Sequence, residues 1–169
     1  MANKYIALIA GRMAEVVALV TSAGAGDAGK IPALDSSGKL DSSLMPTGIG
    51  ASTASIVASE AISAGNPVNV WNDSGTRKIR KADATAAGKE ANGFVLASVS
   101  SGAAGTVYFD DELTGLSGLT IGARYFLSTT PGTITATPPS STGNVVQCVG
   151  VAISASSIIF APSEPVTLA

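Results

Sequence analysis

Hydrophobic and polar positions alternate in two segments of the chain, residues 65–76 and 122–133, and the two segments share one pattern. Each begins with a glycine, continues as an alternating apolar run and ends in a Gly-Thr pair. The offset between them is 122 − 65 = 57 residues, and at the same offset residues 93–97 match residues 150–154. Alternation is typical of strands with one buried face, and a repeat at a fixed offset indicates a duplicated unit. Residues from about 54 to 162 are therefore predicted to form a duplicated antiparallel β domain, closed as a barrel or sandwich.

A second pattern lies near the N-terminus, where the apolar runs 5–9 and 13–19 flank Gly11. A β-hairpin with the glycine at its turn fits this pattern. A helix is the alternative, because apolar residues also recur there at spacings of three and four. We favour the hairpin, since β-branched residues are frequent and Gly11 would cost a helix about 1 kcal/mol. Either element is too short to bury its own apolar residues, so it needs another surface from other subunits or a partner.

Between the two patterned regions lies a linker rich in small residues, followed by residues 29–46 with two Asp-Ser-Ser sequences. Asp35 and Gly38 predict a turn, because aspartate accepts backbone hydrogen bonds and glycine adopts tight conformations. Asp41 is predicted to cap a single helical turn that Pro46 ends. The whole chain is thus predicted to be all-β, with an N-terminal arm and extended linker over residues 1–50 and a small β-barrel or sandwich over residues 51–169.

Composition narrows the class of protein. The chain has 169 residues, of which 46% are hydrophobic and 13% charged, and this balance is opposite to that of disordered chains. The longest apolar stretch, residues 5–20, is interrupted by Arg12 and Glu15, so neither a membrane span nor a secretory signal is expected.

Ten basic and twelve acidic residues give a net charge of −2. Nucleic acid is therefore not an expected partner, because phosphate binding requires clustered Lys and Arg. The one basic cluster, residues 77–81, is predicted to give a strand a solvated face.

The side chains that usually carry chemistry are scarce. Histidine is absent and Cys148 is the single cysteine, which removes the usual general base and makes a zinc site or an intrachain disulfide untenable. The acidic run 110–112 lacks the alternating spacing of a calcium loop, and the glycine-rich run 102–106 lacks the Gly-Lys-Ser/Thr ending of a phosphate loop. We therefore predict no enzyme activity, no catalytic residue, no metal and no cofactor. Trp71 is expected to close one end of the barrel rather than to support a ligand, and Cys148 to be a small buried hydrophobe.

The linker carries a resemblance to a known class of proteins. Its sequence at 28–35, 38–41 and 43–46 resembles a segment found in structural proteins of tailed bacteriophages, both fibres and head decoration proteins. The C-terminal part is similar, through 64–68 and 149–152, to small phage capsid decoration domains, also called cement or head fibre-like proteins. This resemblance implies a homotrimeric virion protein on the outer surface of the phage capsid. Its implied partners are the major capsid protein and further copies of itself, without nucleic acid or membrane.

In this interpretation the arm and linker supply the trimer and capsid contacts. The expected contact residues are apolar side chains without a local core: Ile6, Leu8, Met13, Val16, Val17, Ile31, Leu34, Leu40 and Leu44. Two other functions stay open. A tail-fibre or baseplate adaptor would share the same linker motif, and a secreted carbohydrate-binding module would share the β fold.

Overall fold

The computed structural model describes residues 3–45 and 51–169. The protein is all-β, with 39% of its residues in strands and 4% in helices, as the alternating pattern predicts. The chain divides into two compact units, Met1–Gly50 and Ala51–Ala169.

The first unit contains the predicted hairpin, formed by β1 (Lys4–Ile9) and β2 (Arg12–Val17). The strands are antiparallel and in continuous register from Lys4↔Val17 to Ile9↔Arg12. Ala10 and Gly11 form the two-residue turn, with φ angles of 50° and 78°. Two consecutive positive φ angles are typical of the type I′ turn, whose twist matches that of the flanking strands. The helical alternative is therefore wrong. The turn at Ala10-Gly11 brings the two apolar runs together as antiparallel strands, which hydrogen-bond to each other through their backbones.

The second unit begins with a closed five-stranded barrel in which the strands follow the order β3-β5-β4-β6-β7. Its strands are β3 (Thr53–Ala58), β4 (Pro67–Asp73), β5 (Thr76–Lys81), β6 (Gly93–Phe94) and β7 (Ala104–Tyr108). The interior is filled by small and β-branched side chains, among them Ile56, Val68, Ile79 and Val107. The prediction of a barrel or sandwich is thus met by a barrel.

One pair in this barrel differs from the antiparallel arrangement predicted from the sequence. The pairs β3·β7, β7·β6, β6·β4 and β4·β5 are antiparallel, whereas β3·β5 is parallel. The reason is geometric. Strand direction reverses at every antiparallel step around a closed ring, so a ring with an odd number of strands must contain a parallel pair.

The rest of the second unit forms an open antiparallel sheet and a short two-stranded ribbon. The elements are β8 (Asp111–Leu113), β9 (Arg124–Leu127), β10 (Ile134–Thr135), β11 (Val145–Val146), β12 (Cys148–Ala152), β13 (Ile158–Phe160) and β14 (Val166–Thr167). The open sheet has the order β10-β9-β12-β13-β8, and β11 pairs with β14. A second core lies on the inner face of the open sheet, where Phe94 of the barrel is 5.1 Å from Phe160 between ring centroids.

The barrel and the open sheet share one order of pairing. If the parallel pair is left out, the barrel reads β5-β4-β6-β7-β3, and the open sheet reads β10-β9-β12-β13-β8 in the corresponding chain positions. Gly93 and Gly150, which match at the 57-residue offset, also share a packing requirement. A Cβ at Gly93 would lie 2.5 Å from the Tyr108 carbonyl oxygen, and one at Gly150 would lie 2.0 Å from that of Ile159. The duplication itself stays a prediction, which these likenesses support.

Candidate functional site

The N-terminal unit exposes its apolar side chains. None of its described residues, 3–45, is buried. Ten of the seventeen large hydrophobic residues that are exposed in the described chain lie in this unit, although it is much the smaller of the two. They are Ile6, Leu8, Ile9, Met13, Val17, Val20, Ile31, Leu34, Leu40 and Met45. A hairpin and a linker without a core are marginal in water by themselves, so this unit is the leading candidate for an interaction surface.

The register of the hairpin places its side chains on two faces. One face carries Lys4, Ile6, Leu8, Met13, Glu15 and Val17, and we call it the apolar hairpin face. Leu8 and Met13 are directly opposite each other near the turn, with 73% and 78% of their surface exposed. Lys4 Nζ lies 3.1 Å from Glu15 Oε1 beside them. Because both charges are exposed, this pair contributes little stability by itself.

The register also shows on which face of the hairpin each predicted contact residue lies. Ile6, Leu8, Met13 and Val17 come together on the apolar hairpin face. Val16 does not join them, because it pairs with Tyr5 and lies on the opposite face, half-buried. Val16 and Val17 are neighbours in β2 and therefore point to opposite sides of the strand. The role of both as contact residues stays a prediction.

The linker holds the remaining proposed contact residues beside the hairpin. The Leu19 N–H donates to the Ile31 carbonyl oxygen at 3.0 Å, and the Ala33 N–H donates to that of Leu19 at 2.7 Å. The Ile31 N–H also donates to the Tyr5 hydroxyl at 3.4 Å. Ile31, Leu34 and Leu40 are exposed, whereas Leu44 is half-buried. The linker is therefore ordered by backbone hydrogen bonds that leave its apolar side chains free for another surface.

Both turns predicted in the linker are present. Asp35 Oδ1 accepts from the N–H groups of Ser37 and Lys39 at 2.8 and 2.9 Å, and Gly38 has a positive φ of 73°. Asp41 caps the 3₁₀ turn Ser42–Leu44 by accepting from the Ser43 N–H at 2.9 Å. Hydrogen bonds from the side chain and backbone of Ser43 lower the pKa of Asp41. Pro46, which was expected to end this turn, lies outside the described residues.

The carboxylate of Asp27 has a related role at the start of the linker. Its pKa is lowered by the hydrogen bond from Lys30 and then by that from the Ala23 backbone, and Lys30 Nζ lies 2.8 Å from Asp27 Oδ1. Such bonds stabilise the charged form of an acid and fix a turn.

Trp71 lies on the outer face of β4 and does not close the barrel as expected. The residues of β4 that contribute to the barrel core are Val68 and Val70. Trp71 directly follows Val70 in the strand, so its side chain points to the opposite, outer face. The Arg80 guanidinium lies 4.7 Å from the centre of the Trp71 ring, which is a cation–π contact. The indole Nε1 is buried and has no hydrogen-bond partner in the part of the chain that the structure describes.

The buried polar side chains of the second unit hold backbone segments together. Gln147 donates to the Ala91 carbonyl oxygen and accepts from its N–H, and Asn69 donates to the Glu90 carbonyl oxygen. Burial raises the pKa of Asp83, but hydrogen bonds from Thr85 and Lys89 outweigh it and lower the pKa overall. Each group is thus occupied by a structural contact.

No site for a metal ion or for membrane insertion through a helix is found among the described residues. Across 3–45 and 51–169, no three acidic or cysteine side chains gather in a way that could hold a metal ion. Within the same residues, no helix is long and apolar enough to cross a membrane.

The second unit contributes a surface that the sequence did not single out. Glu112, Ile159, Val151 and Arg124 form one line across β8, β13, β12 and β9, on the face opposite the core. We call this line the cross-strand row. A cavity of about 330 Å³ beside it is lined by Cys148, Gly150 and Ala161 as well as by residues of the row. The doublet Ile158-Ile159 was the available signal, because one of two neighbouring strand residues must face away from the core.

A β-bulge shapes this surface. The register of β12 with β9 shifts between Cys148 and Gly150, and Cys148 is half-buried rather than buried as expected. Residues 148 and 151 would alternate to opposite faces of a regular strand. The extra residue of a bulge reverses that alternation, and both side chains therefore reach the outer face.

Comparisons of the chain with family models, with curated proteins and with solved structures found no match.

Proposed function

We propose that this chain is a structural virion protein: a homotrimeric capsid decoration protein that binds the assembled lattice of the major capsid protein and stabilises a phage head. In this proposal the β domain stands on the outer surface of the capsid. The arm and linker make the contacts between copies and with the lattice. The protein catalyses no reaction.

The observation that carries the proposal is that the N-terminal unit has no buried residue among those that the structure describes, 3–45. Its exposed apolar residues, led by Leu8 and Met13, would cost a free monomer about 1.5–3 kcal/mol for each large side chain left in water. Solvated hairpins of this kind are rarely stable alone. A partner surface removes that cost, and the phage-like linker sequence at 28–46 suggests which assemblies supply it.

Mass action explains how such a protein would stabilise a capsid. A ligand that binds only the assembled lattice shifts the equilibrium toward assembly. Three copies of one contact patch held in a trimer engage neighbouring sites together, and the effective concentration of the second and third contacts is high. A weak contact from each arm is then sufficient.

Two measurements test the proposal: the native mass of the isolated protein, and subunit-resolution images of virions that contain it. We expect a mass of three chains and many trimers distributed over the shell. A few copies confined to the tail would overturn the decoration role in favour of a fibre or baseplate adaptor. Absence from virions would overturn both, and binding to glycans would then favour a carbohydrate-binding module.

Substitutions on the apolar hairpin face test the trimer directly. We expect L8D combined with M13D to place charges in the contact between copies and to raise the trimer dissociation constant by at least about 100-fold. Analytical ultracentrifugation over a concentration series gives this value. I121D is the matched control, because Ile121 is 70% exposed in a loop of the other unit.

The control variant should assemble like the unmodified protein, and both variants should keep the unfolding transition of the β domain. If L8D/M13D forms trimers as tightly as I121D, the apolar hairpin face is not the contact between copies.

A further inference from the structure

We infer that the cross-strand row is a second self-association surface, on which two copies of the β domain pair about a twofold axis. This inference depends on the second unit alone and stands independently of the proposed function. The surface that covers the row is a second copy of this chain, because the charges of the row are complementary to those of a reversed copy of itself.

The row has opposite charges at its two ends and apolar side chains between them. Glu112 pairs with Ile159, Ile159 with Val151, and Val151 with Arg124, so the four side chains are consecutive across four strands. Val151 and Ile159 are 39% and 45% exposed. Neighbouring strands are roughly 4.8 Å apart, so the charged ends are separated by about 14 Å.

Within the described residues, neither charged end has a partner. Each of the five ion pairs of the described chain uses other side chains, and neither the Arg124 guanidinium nor the Glu112 carboxylate takes part in a side-chain hydrogen bond there. A guanidinium and a carboxylate that are both free can form paired hydrogen bonds when they meet. In a pair of copies, Arg124 of one chain can bind Glu112 of the other in this way.

A twofold axis that runs along the strands, between two facing copies, reverses the direction of the row. Arg124 of one copy then faces Glu112 of the other, and Val151 faces Ile159, each contact occurring twice. Packed sheets lie about 10 Å apart, a distance that two long side chains span from opposite sides. Any arrangement that keeps the row in the same direction would bring like charges together, which is unfavourable.

The contact area is small, so the association between two copies is weak. Four side chains from each copy bury much less than the roughly 1,200 Å² of a stable interface. The pair should therefore exchange rapidly and be populated at high protein concentration. Where many copies are held close together, effective concentration makes the same contact persistent.

Charge reversal tests the twofold arrangement. R124E alone places glutamate against glutamate twice, and E112R alone places arginine against arginine twice, so each should weaken pairing by about tenfold. An equimolar mixture of the two variants restores both opposite-charge contacts, and so does the double variant R124E/E112R. Sedimentation velocity over a concentration series measures this association step. R77E is the control, because Arg77 is exposed on β5, away from the row.

Carbodiimide crosslinking provides a second readout. In the variant R124K, an amine replaces the guanidinium, and the reagent should join position 124 to Glu112. Mixed light and nitrogen-15-labelled chains reveal joining between copies as mixed-isotope products in peptide mass spectrometry. R77K should give no such product with Glu112.

Recovery in the mixture together with the mixed-isotope crosslink supports the twofold pair. Equal association of R124E, E112R and unmodified chain would overturn it. Weakening without recovery in the mixture or the double variant would also overturn it, since the row would then contact a different surface. Because the apolar hairpin face is unchanged in all these variants, failure here leaves the trimer test unaffected.

Discussion

At the scale of single residues, two glycines of the second unit are required by close packing rather than by unusual backbone angles. Gly150 has a φ outside the positive range, yet a Cβ there would lie 2.0 Å from the Ile159 carbonyl oxygen and 3.0 Å from its carbon. Gly93 meets the Tyr108 backbone in the same way. Glycine within a strand often marks such a close approach of a neighbouring backbone.

We expect G150A to destabilise the β domain by at least about 3 kcal/mol, because the added methyl group can be accommodated only if β12 and β13 separate. Chemical denaturation gives the free energy of unfolding. G115A is the control, since Gly115 has φ 83° and open space around its Cβ position; it should cost about 1–2 kcal/mol from backbone strain. Equal costs for the two variants would contradict the packing argument.

At the scale of elements, the chain uses the same turn twice. Ala10-Gly11 connects β1 to β2, and Ser74-Gly75 connects β4 to β5 with φ angles of 54° and 90°. Asn72 Oδ1 accepts from the Gly75 N–H at 2.7 Å and supports the second turn. Neither first position carries the residue that this turn favours, because asparagine tolerates positive φ better than alanine or serine.

We therefore expect S74N to stabilise the β domain by about 0.5 kcal/mol, since it relieves strain at one exposed position without touching the core. Thermal unfolding followed by circular dichroism measures the shift in midpoint. S117N, at an exposed loop position, is the control and should leave the midpoint unchanged. A lower midpoint for S74N would mean that the serine has a role besides the turn.

Elements set by local residues were the ones that the sequence predicted well. The arm hairpin, the turn at Asp35 and the cap at Asp41 depend on a few neighbouring residues, and all three are present. The face on which Val16 lies was also predictable, because a two-residue turn at 10–11 fixes the register of every pair in the hairpin. The nine contact residues were chosen for their apolar character without regard to this alternation, and their role as contacts stays a prediction.

Features that depend on distant parts of the chain were not predictable in the same way. The outward position of Trp71 follows from which face of β4 meets the barrel core, and that of Val151 follows from the bulge before it. Neither the parallel pair nor the bulge has a local sequence signature here. The cross-strand row therefore became visible only when four strands were placed side by side.

At the scale of the whole molecule, the N-terminal unit and the β domain differ in what stabilises them. The β domain contains both hydrophobic clusters, and its buried polar side chains hold their own loops. The N-terminal unit has ordered backbone hydrogen bonds but no buried side chain among its described residues. Its stability should therefore depend more steeply on protein concentration than that of the β domain, whose pairing through the cross-strand row is weak.

The closure of the barrel also has a consequence for the speed of folding. Thr53 pairs with Tyr108, so β3 and β7 meet across 108 − 53 = 55 residues, while β4 and β5 meet across a two-residue turn. Contacts between distant residues form late because loop-closure entropy must be overcome first.

We expect β3 to gain protection in pulsed hydrogen exchange after the β4–β5 hairpin, and simultaneous protection would contradict this order. Until β3 joins, both edges of the nascent barrel are open to other chains, so slow closure is the interval in which this protein is most exposed to aggregation.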